Sequence, residues 1–394
     1  MKFISYLVLV IFTAFCLACH NSTDALGSYG NVRKHATGKN IIISQLHIDT
    51  IKVDHLLSRS GDGFWKMSKD SFYYFDRVMG VVDSYLLNGH FISRRLGFGQ
   101  DPGELLDEFA SACHFNNGWL VVENRYAYLF DKGFWNKKMK TLVNWEEDFE
   151  NQKDRILKNP DPTKDVEVYI PESILPQVEW IKDAQFLMKV QCCYPSLFSL
   201  QFYKESAIAA IYDFDKGTFV SLLGHYPPKY LEGFCYPAFS NPYYVPYKDG
   251  KYLVIFPLDP EIYICNERFE PVESFGIAGD LKNTMYLKLA DQQEISHKEF
   301  IKEQSVRGFY VSLFYHPKDD VTLRMYKTGL VDESSGGDNP SRMQIYKGFD
   351  LIGDVAIPND FEVFGMKDDC FFADGYLNVL EEGDVIGFYI FKLF

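Results

Sequence analysis

The amino-acid sequence predicts an all-β ring: a six-bladed β-propeller of four-stranded antiparallel blades, the last blade closed by the N-terminal strand. Three observations predict it. A hairpin pattern recurs along the chain, a strand-like run precedes each copy, and a single strand at either end lacks a hairpin mate.

The first copy, YLLNGHFISRRLG, begins at Tyr85, and YLFDKGFWNKKMKTL follows at Tyr128. YDFDKGTFVSLLG begins at Tyr212 and YICNERFEPVESFG at Tyr263. Each has Tyr, two residues, Asn or Asp, a turn and a second run, and Gly97, Gly224 and Gly276 close the second run in three copies. Short β-rich runs around a turn residue that tolerates positive φ read as hairpins. The tyrosines are 43, 84 and 51 residues apart, close to one, two and slightly more than one unit. Units of that length built from short strands are propeller blades.

MQIYKGFDLIG (343–353) is a fifth copy, and YIFKLF from Tyr389 begins a sixth that meets the C-terminus without its partner. QLHIDTIKV (45–53) alternates as a strand should and has no mate nearby. Pairing these two seals the ring. The runs SFYYF (71–75), GWLVVEN (118–124), FLMKV (186–190), KYLVIF (251–256), VTLRMY (321–326) and CFFAD (370–374) supply a further strand to each blade. Three inserts interrupt the period: a charged helix then loop at 145–165, a polar helix-prone stretch at 289–306, and a loop at 331–341. The competing arrangement is a pair of β-sandwiches with chance likeness between hairpins.

The N-terminus reads as an address. One Lys precedes an apolar run from Phe3 to Phe15, too short to span a bilayer and placed as in a signal peptide. The run ends at CLAC, which resembles the lipobox of bacterial lipoproteins, with Ala18 before the cleavage point and Cys19 after it. That resemblance implies acyl chains on Cys19 holding the mature chain to a lipid bilayer. The polar, Gly-rich stretch that follows reads as a flexible tether. The organisation expected is therefore 1–18 signal peptide, 19–44 tether and 45–394 propeller.

The formal net charge is −14. A chain this acidic repels nucleic acid and anionic head groups, which argues against both as partners. Six cysteines follow Cys19, at 113, 192, 193, 235, 265 and 370, without regular spacing. They read as mostly buried thiols, with disulfides left open.

The stretch RRLGFGQDPGELLDEF (94–109) looks at first like a phosphate cradle. A Walker loop needs Gly-Lys-Ser or Gly-Lys-Thr with a helix behind it, and a dinucleotide fingerprint needs a βαβ unit. Neither context exists. Gly97, Gly99, Pro102 and Gly103 read as a structural turn carrying the chain from one blade to the next. The set Gly97, Gly99, Pro102, Gly103 and Glu104, with Arg94 and Arg95 before it, resembles the glycine-rich motif of TolB-like six-bladed β-propeller lipoproteins of Bacteroides-type bacteria. The resemblance implies a fold and a cell-envelope address, anchored to the outer membrane on its periplasmic face or at the cell surface. It carries no catalytic residue.

Among candidate sites, Arg94, Arg95 and Glu104 are either ligand contacts or a structural salt bridge. Asp101, Glu104, Asp107 and Glu108 lack the oxygen alternation of a calcium loop. The nine histidines never pair closely on one element, so no metal site is expected. No Gly-x-Ser-x-Gly elbow exists, and no catalytic residue is assigned. The segment 226–247 holds eight aromatic residues and five prolines, with Tyr236, Tyr243 and Tyr244 as candidate ligand platforms. The other reading has those rings packing on the blades.

The function expected is a membrane-anchored binding or scaffold module for a protein, peptide or glycan, without catalysis and without a cofactor. The alternative is a hydrolase or lyase acting on a polysaccharide or small molecule at the central channel mouth.

Overall fold

The structure, a computed structural model, describes residues 29–53, 62–99, 101, 103–116, 118–123, 125–135, 137–142, 161–172, 177–333, 337–375 and 387–393. Cys19, the signal segment, Pro102 and most of the 145–165 insert lie outside the described residues.

Three strands open the chain: β1 (Arg33–Lys34), β2 (Lys39–Ile43) and β3 (Ile48–Lys52). Blade 1 is β4 (Gly63–Ser68), β5 (Ser71–Asp76), β6 (Val81–Leu86) and β7 (Phe91–Leu96). Blade 2 is β8 (Phe109–Phe115), β9 (Gly118–Glu123), β10 (Tyr126–Asp131) and β11 (Lys137–Thr141). In blade 3 the inner position is shared by β12 (Tyr169–Pro171) and β13 (Val178–Lys182), which both pair with β14 (Gln185–Cys192). Helix α1 (Leu200–Glu205), β15 (Ala209–Asp213) and β16 (Thr218–Leu223) complete it.

Blade 4 is β17 (Tyr243–Pro246), β18 (Tyr252–Ile255), β19 (Ile262–Cys265) and β20 (Pro271–Phe275). Helix α2 (His297–Val306) leads into blade 5, whose strands are β21 (Gly308–His316), β22 (Val321–Thr328), β23 (Ser341–Lys347) and β24 (Asp350–Ile357). Blade 6 is β25 (Glu362–Lys367), β26 (Cys370–Asp374) and β27 (Gly387–Phe391), with β3 as its fourth strand. The six-bladed ring predicted from the repeat is the ring observed. Tyr389 sits in register with Thr50, so the tail is joined to the head at the place the unpaired strands indicated.

Burial follows position in the blade. All six residues of β9, GWLVVE, are buried, as a strand covered on both faces requires. Outermost β11, KKMKT, keeps none of its residues fully buried. The hydrophobic clusters lie between blades rather than within one sheet. The seam between blades 6 and 1 holds Val53, Trp65, Phe72, Tyr74, Phe372 and Phe388. There the Phe72 and Phe388 rings meet edge to face at 4.5 Å, a geometry aromatic pairs favour.

Within the expected tether, 19–44, residues 19–28 lie outside the described residues, and residues 33–43 are paired to the blades. β1 lies parallel to β20 and β2 lies parallel to β24, on the outer edges of blades 4 and 5. Their side chains are almost all exposed, so backbone pairing rather than apolar burial holds them there. With β3 on blade 6, this segment straps three consecutive blades. The 289–306 insert forms α2 with a capping box: Ser296 Oγ accepts from the Glu299 N–H, and the Glu299 carboxylate accepts from the Ser296 N–H.

Candidate functional site

Each inner strand contributes to the wall of an axial channel of about 440 Å³, lined by residues of β4, β8, β13, β17, β21 and β25. Phe64, Tyr243, Tyr247, Phe314, Tyr315 and Phe364 supply rings, and Lys66, Arg77, Glu179, Lys248, Glu362 and Asp374 supply charge. Inner strands of neighbouring blades do not pair with one another. Side chains bridge them instead: the Gln177 amide donates to the Tyr244 carbonyl at 2.9 Å and accepts the Tyr244 N–H at 3.3 Å, linking blades 3 and 4.

The charges in the channel are not equivalent. Lys248 is paired with Asp320 at 2.7 Å, and the Arg77 guanidinium lies 5.4 Å over the Phe64 ring. Glu362 and Asp374 are register partners on β25 and β26. Directly opposed side chains stand with Cβ atoms about 5 Å apart, and like charges placed so repel. The Tyr243 hydroxyl donates to Glu362 Oε1 at 2.6 Å, across from blade 4 to blade 6. Asp374 responds to the crowding: burial first, then the charges of Glu362 and Asp360, push its carboxyl up to about 7 against the pull of the Gly375 N–H and Arg77. Burial also raises Glu179, with Lys66 opposing. Near neutral pH the Asp374 carboxyl therefore exchanges its proton beside Glu362, which accepts the Tyr243 hydroxyl.

A stability consequence follows. A carboxyl whose folded value lies above its unfolded one keeps a proton that the unfolded chain has lost, so its contribution falls as pH rises from about 4 to 7. Asp374→Asn fixes the neutral form. Thermal melts of the two proteins are expected to agree near pH 4 and to diverge by pH 8, the variant being more stable by about 2 kcal/mol. Buried Glu123 is also pushed up to about 7 by burial, but it is common to both chains and cancels.

The residues singled out from sequence do not gather in one place. Tyr243 stands in the channel wall. Tyr236 and Tyr244 are buried at 2% and 0% exposure, within the core shared by blades 3 and 4. The rest of the aromatic, proline-rich segment behaves like them: the Tyr226 and Tyr230 hydroxyls donate to the carbonyls of Ser240 and Phe239. This segment packs on the blades, and only its end reaches the channel.

Arg94 and Arg95 lie on the outer strand of blade 1. Arg94 does not pair with Glu104. It forms a two-point bond with Asp83, at 2.8 and 2.9 Å, because Asp83 stands opposite it in the β6–β7 register. Arg95 stacks on Trp135 at 4.3 Å. Glu104 accepts the Asp101 N–H at 3.0 Å and folds back over Gly99, where a Cβ would fall 1.8 Å from its carboxylate. The Leu105 N–H bonds Gly97 O at 2.8 Å and the Gly99 N–H bonds Leu105 O at 3.0 Å. Fully buried Leu105 plugs the core between blades 1 and 2. The described part of the glycine-rich stretch forms a self-bonded corner.

Lys66, Arg77, Glu179, Glu362 and Asp374 were not picked out from sequence. Their only signal is a charged residue in a short run just before or after a second blade strand, as in VEWIK and EVFGMK. Among the described residues no group of three or more His, Cys, Asp or Glu side chains is placed to hold a metal ion. None of their helices is long and apolar enough to cross a membrane.

No family model matches the chain, and no curated protein matches it by sequence. Solved structures do. The chain is similar to a member of the DUF4221 family from Bacteroides vulgatus, at 11% identity and a TM-score of 0.60, over 89% of this chain and 96% of that one. It is also similar to a Bacteroides fragilis protein described as exported, at 12% identity and a TM-score of 0.54, over 91% of this chain and 99% of that one. At these identities the likeness establishes the shared fold.

Proposed function

We propose that the protein is an envelope lipoprotein, held to the outer membrane through acyl chains on Cys19, whose propeller binds a peptide, protein or glycan ligand at the mouth of the axial channel. The fold, the lipobox-like CLAC and the resemblance of the glycine-rich corner to TolB-like propeller lipoproteins support this address. The observation that carries the binding role is the channel wall itself. It combines half-buried rings with a carboxyl group bonded to the Tyr243 phenol. Aromatic faces take sugar rings or peptide side chains, and Glu362 with Asp374 gives polar anchors.

One observation favours the second reading, a hydrolase or lyase. Asp374, whose carboxyl burial pushes up to about 7, stands opposite a second carboxyl, Glu362, and acid–base chemistry on a glycosidic bond uses a pair of carboxyl groups.

The test has two parts. Cys19→Ala is expected to move the protein from the membrane to the soluble fraction with its melting temperature unchanged; unchanged fractionation defeats the anchor. A glycan and peptide array probed with wild type and Glu362→Gln is expected to show a ligand that the variant binds at least about tenfold more weakly. Conversion of that ligand by wild type, lost in Asp374→Asn, would select the enzyme.

A further inference from the structure

A second cleft, of about 550 Å³, opens at the other end of β5 from the turn that carries Arg77. Its walls come from the turns joining β4 to β5, β8 to β9 and β10 to β11, with Trp180 of β13 closing one side. In a chain of net charge −14 this cleft has the opposite sign.

Lys69 and Lys132 both face His114, and both act with burial to hold its proton affinity down. Neither lysine has an ion pair with a described residue. Asp70 is the one carboxylate in the lining, and its side chain is taken up by Lys367 of blade 6. Lys69 also acts on the neighbouring Asp70 carboxylate, but the two lysines still act together on one ring nitrogen and repel one another, and an anion between them relieves that repulsion. The rest of the wall is not simply basic. Tyr73 and Trp180 are half-buried and offer ring faces, while Ser68, Ser71 and Asn116 offer neutral hydrogen bonds. Phosphate would use the charge and leave the rings idle. A flat, hydroxylated ring that carries a carboxylate uses all three features.

We propose that this cleft is a binding site for a carboxylated pyranose, a uronic acid residue free or within an acidic glycan. Its carboxylate lies between Lys69 and Lys132, and its ring lies against Trp180 and Tyr73. The site is separate from the axial channel and does not rest on the reading of that channel.

Titration of the full-length chain with glucuronate, glucose and inorganic phosphate, followed by tryptophan emission and calorimetry, tests it. Saturable binding of glucuronate is expected, with glucose and phosphate each at least about tenfold weaker. Lys69→Ser combined with Lys132→Ser is expected to weaken glucuronate about tenfold. Both side chains are exposed, so the melting temperature stays put. Absence of saturation, phosphate binding as tightly as glucuronate, or an unchanged constant in the double variant would each overturn the proposal.

Discussion

A chain that begins at residue 54 is expected to lose its cooperative unfolding transition, whereas one that begins at residue 45 keeps it. The difference is β3. Five residue pairs, from Gly387 with Lys52 to Phe391 with Ile48, join it to β27. Val53 at its end is 4% exposed and seated among Trp65, Tyr85 and Phe388. Four or five backbone hydrogen bonds at about 1 kcal/mol each, with partial burial of Ile51 and full burial of Val53, amount to roughly 5–10 kcal/mol. That is the scale of a whole domain's stability. Blade 6 without it also presents an open edge toward other chains. Calorimetry and size-exclusion chromatography of the two truncated chains make the comparison. A sharp melt and a monomeric peak from the shorter one would show that the ring does not depend on this clasp.

The second large effect is expected at Arg324, on β22 of blade 5 and 0% exposed. Its guanidinium donates to Pro260 O at 2.6 Å and Ile277 O at 2.5 Å, both in blade 4, and to Gln344 Oε1 at 2.9 Å and the Tyr346 hydroxyl at 3.0 Å. The Tyr310 ring lies 4.1 Å away. One side chain thus rivets two blades whose inner strands share no ladder. Arg324→Met keeps volume but strands two carbonyls and an amide in a dry place, at a cost of about 3–5 kcal/mol. Arg324→Lys is expected to recover little, since an ammonium cannot span the fork of acceptors. Urea denaturation followed by tyrosine and tryptophan emission reads both, and a loss under about 1 kcal/mol in the Met variant would remove the rivet from the account.

The parts of this fold that were legible in the sequence were those with two jobs at fixed spacing. Tyr85, Tyr128 and Tyr212 are all 0% exposed, packed between blades. Three residues after Tyr85, Tyr128 and Tyr263 the polar residue shapes the turn: Asn88 accepts from the His90 N–H, Asp131 from Gly133 and Trp135, and Asn266 from Arg268 and Glu270, while in the Tyr212 copy Asp213 accepts from the Lys216 N–H. A buried ring followed by a turn cap leaves a trace that survives divergence of everything else. The inner strands have neither duty. They face the channel, their residues differ from blade to blade, and the charged groups of the channel wall sit there without a recurring neighbour to mark them. Tyr236 and Tyr244 misled as ligand platforms because aromatic density records packing as readily as binding. The strands β1 and β2 were hidden for a different reason. Arg33, Lys34 and Lys39 bury nothing, and a pairing held by main-chain groups writes no hydrophobic pattern.

That strap has a consequence for the order of assembly. The docking edges for β1, β2 and β3 belong to blades 4, 5 and 6, so the portion synthesised first has nowhere to sit until the portion synthesised last has arrived. A nascent chain therefore carries its leading segment unpaired until those blades have formed. Maturation ends when that segment is laid down around the rim.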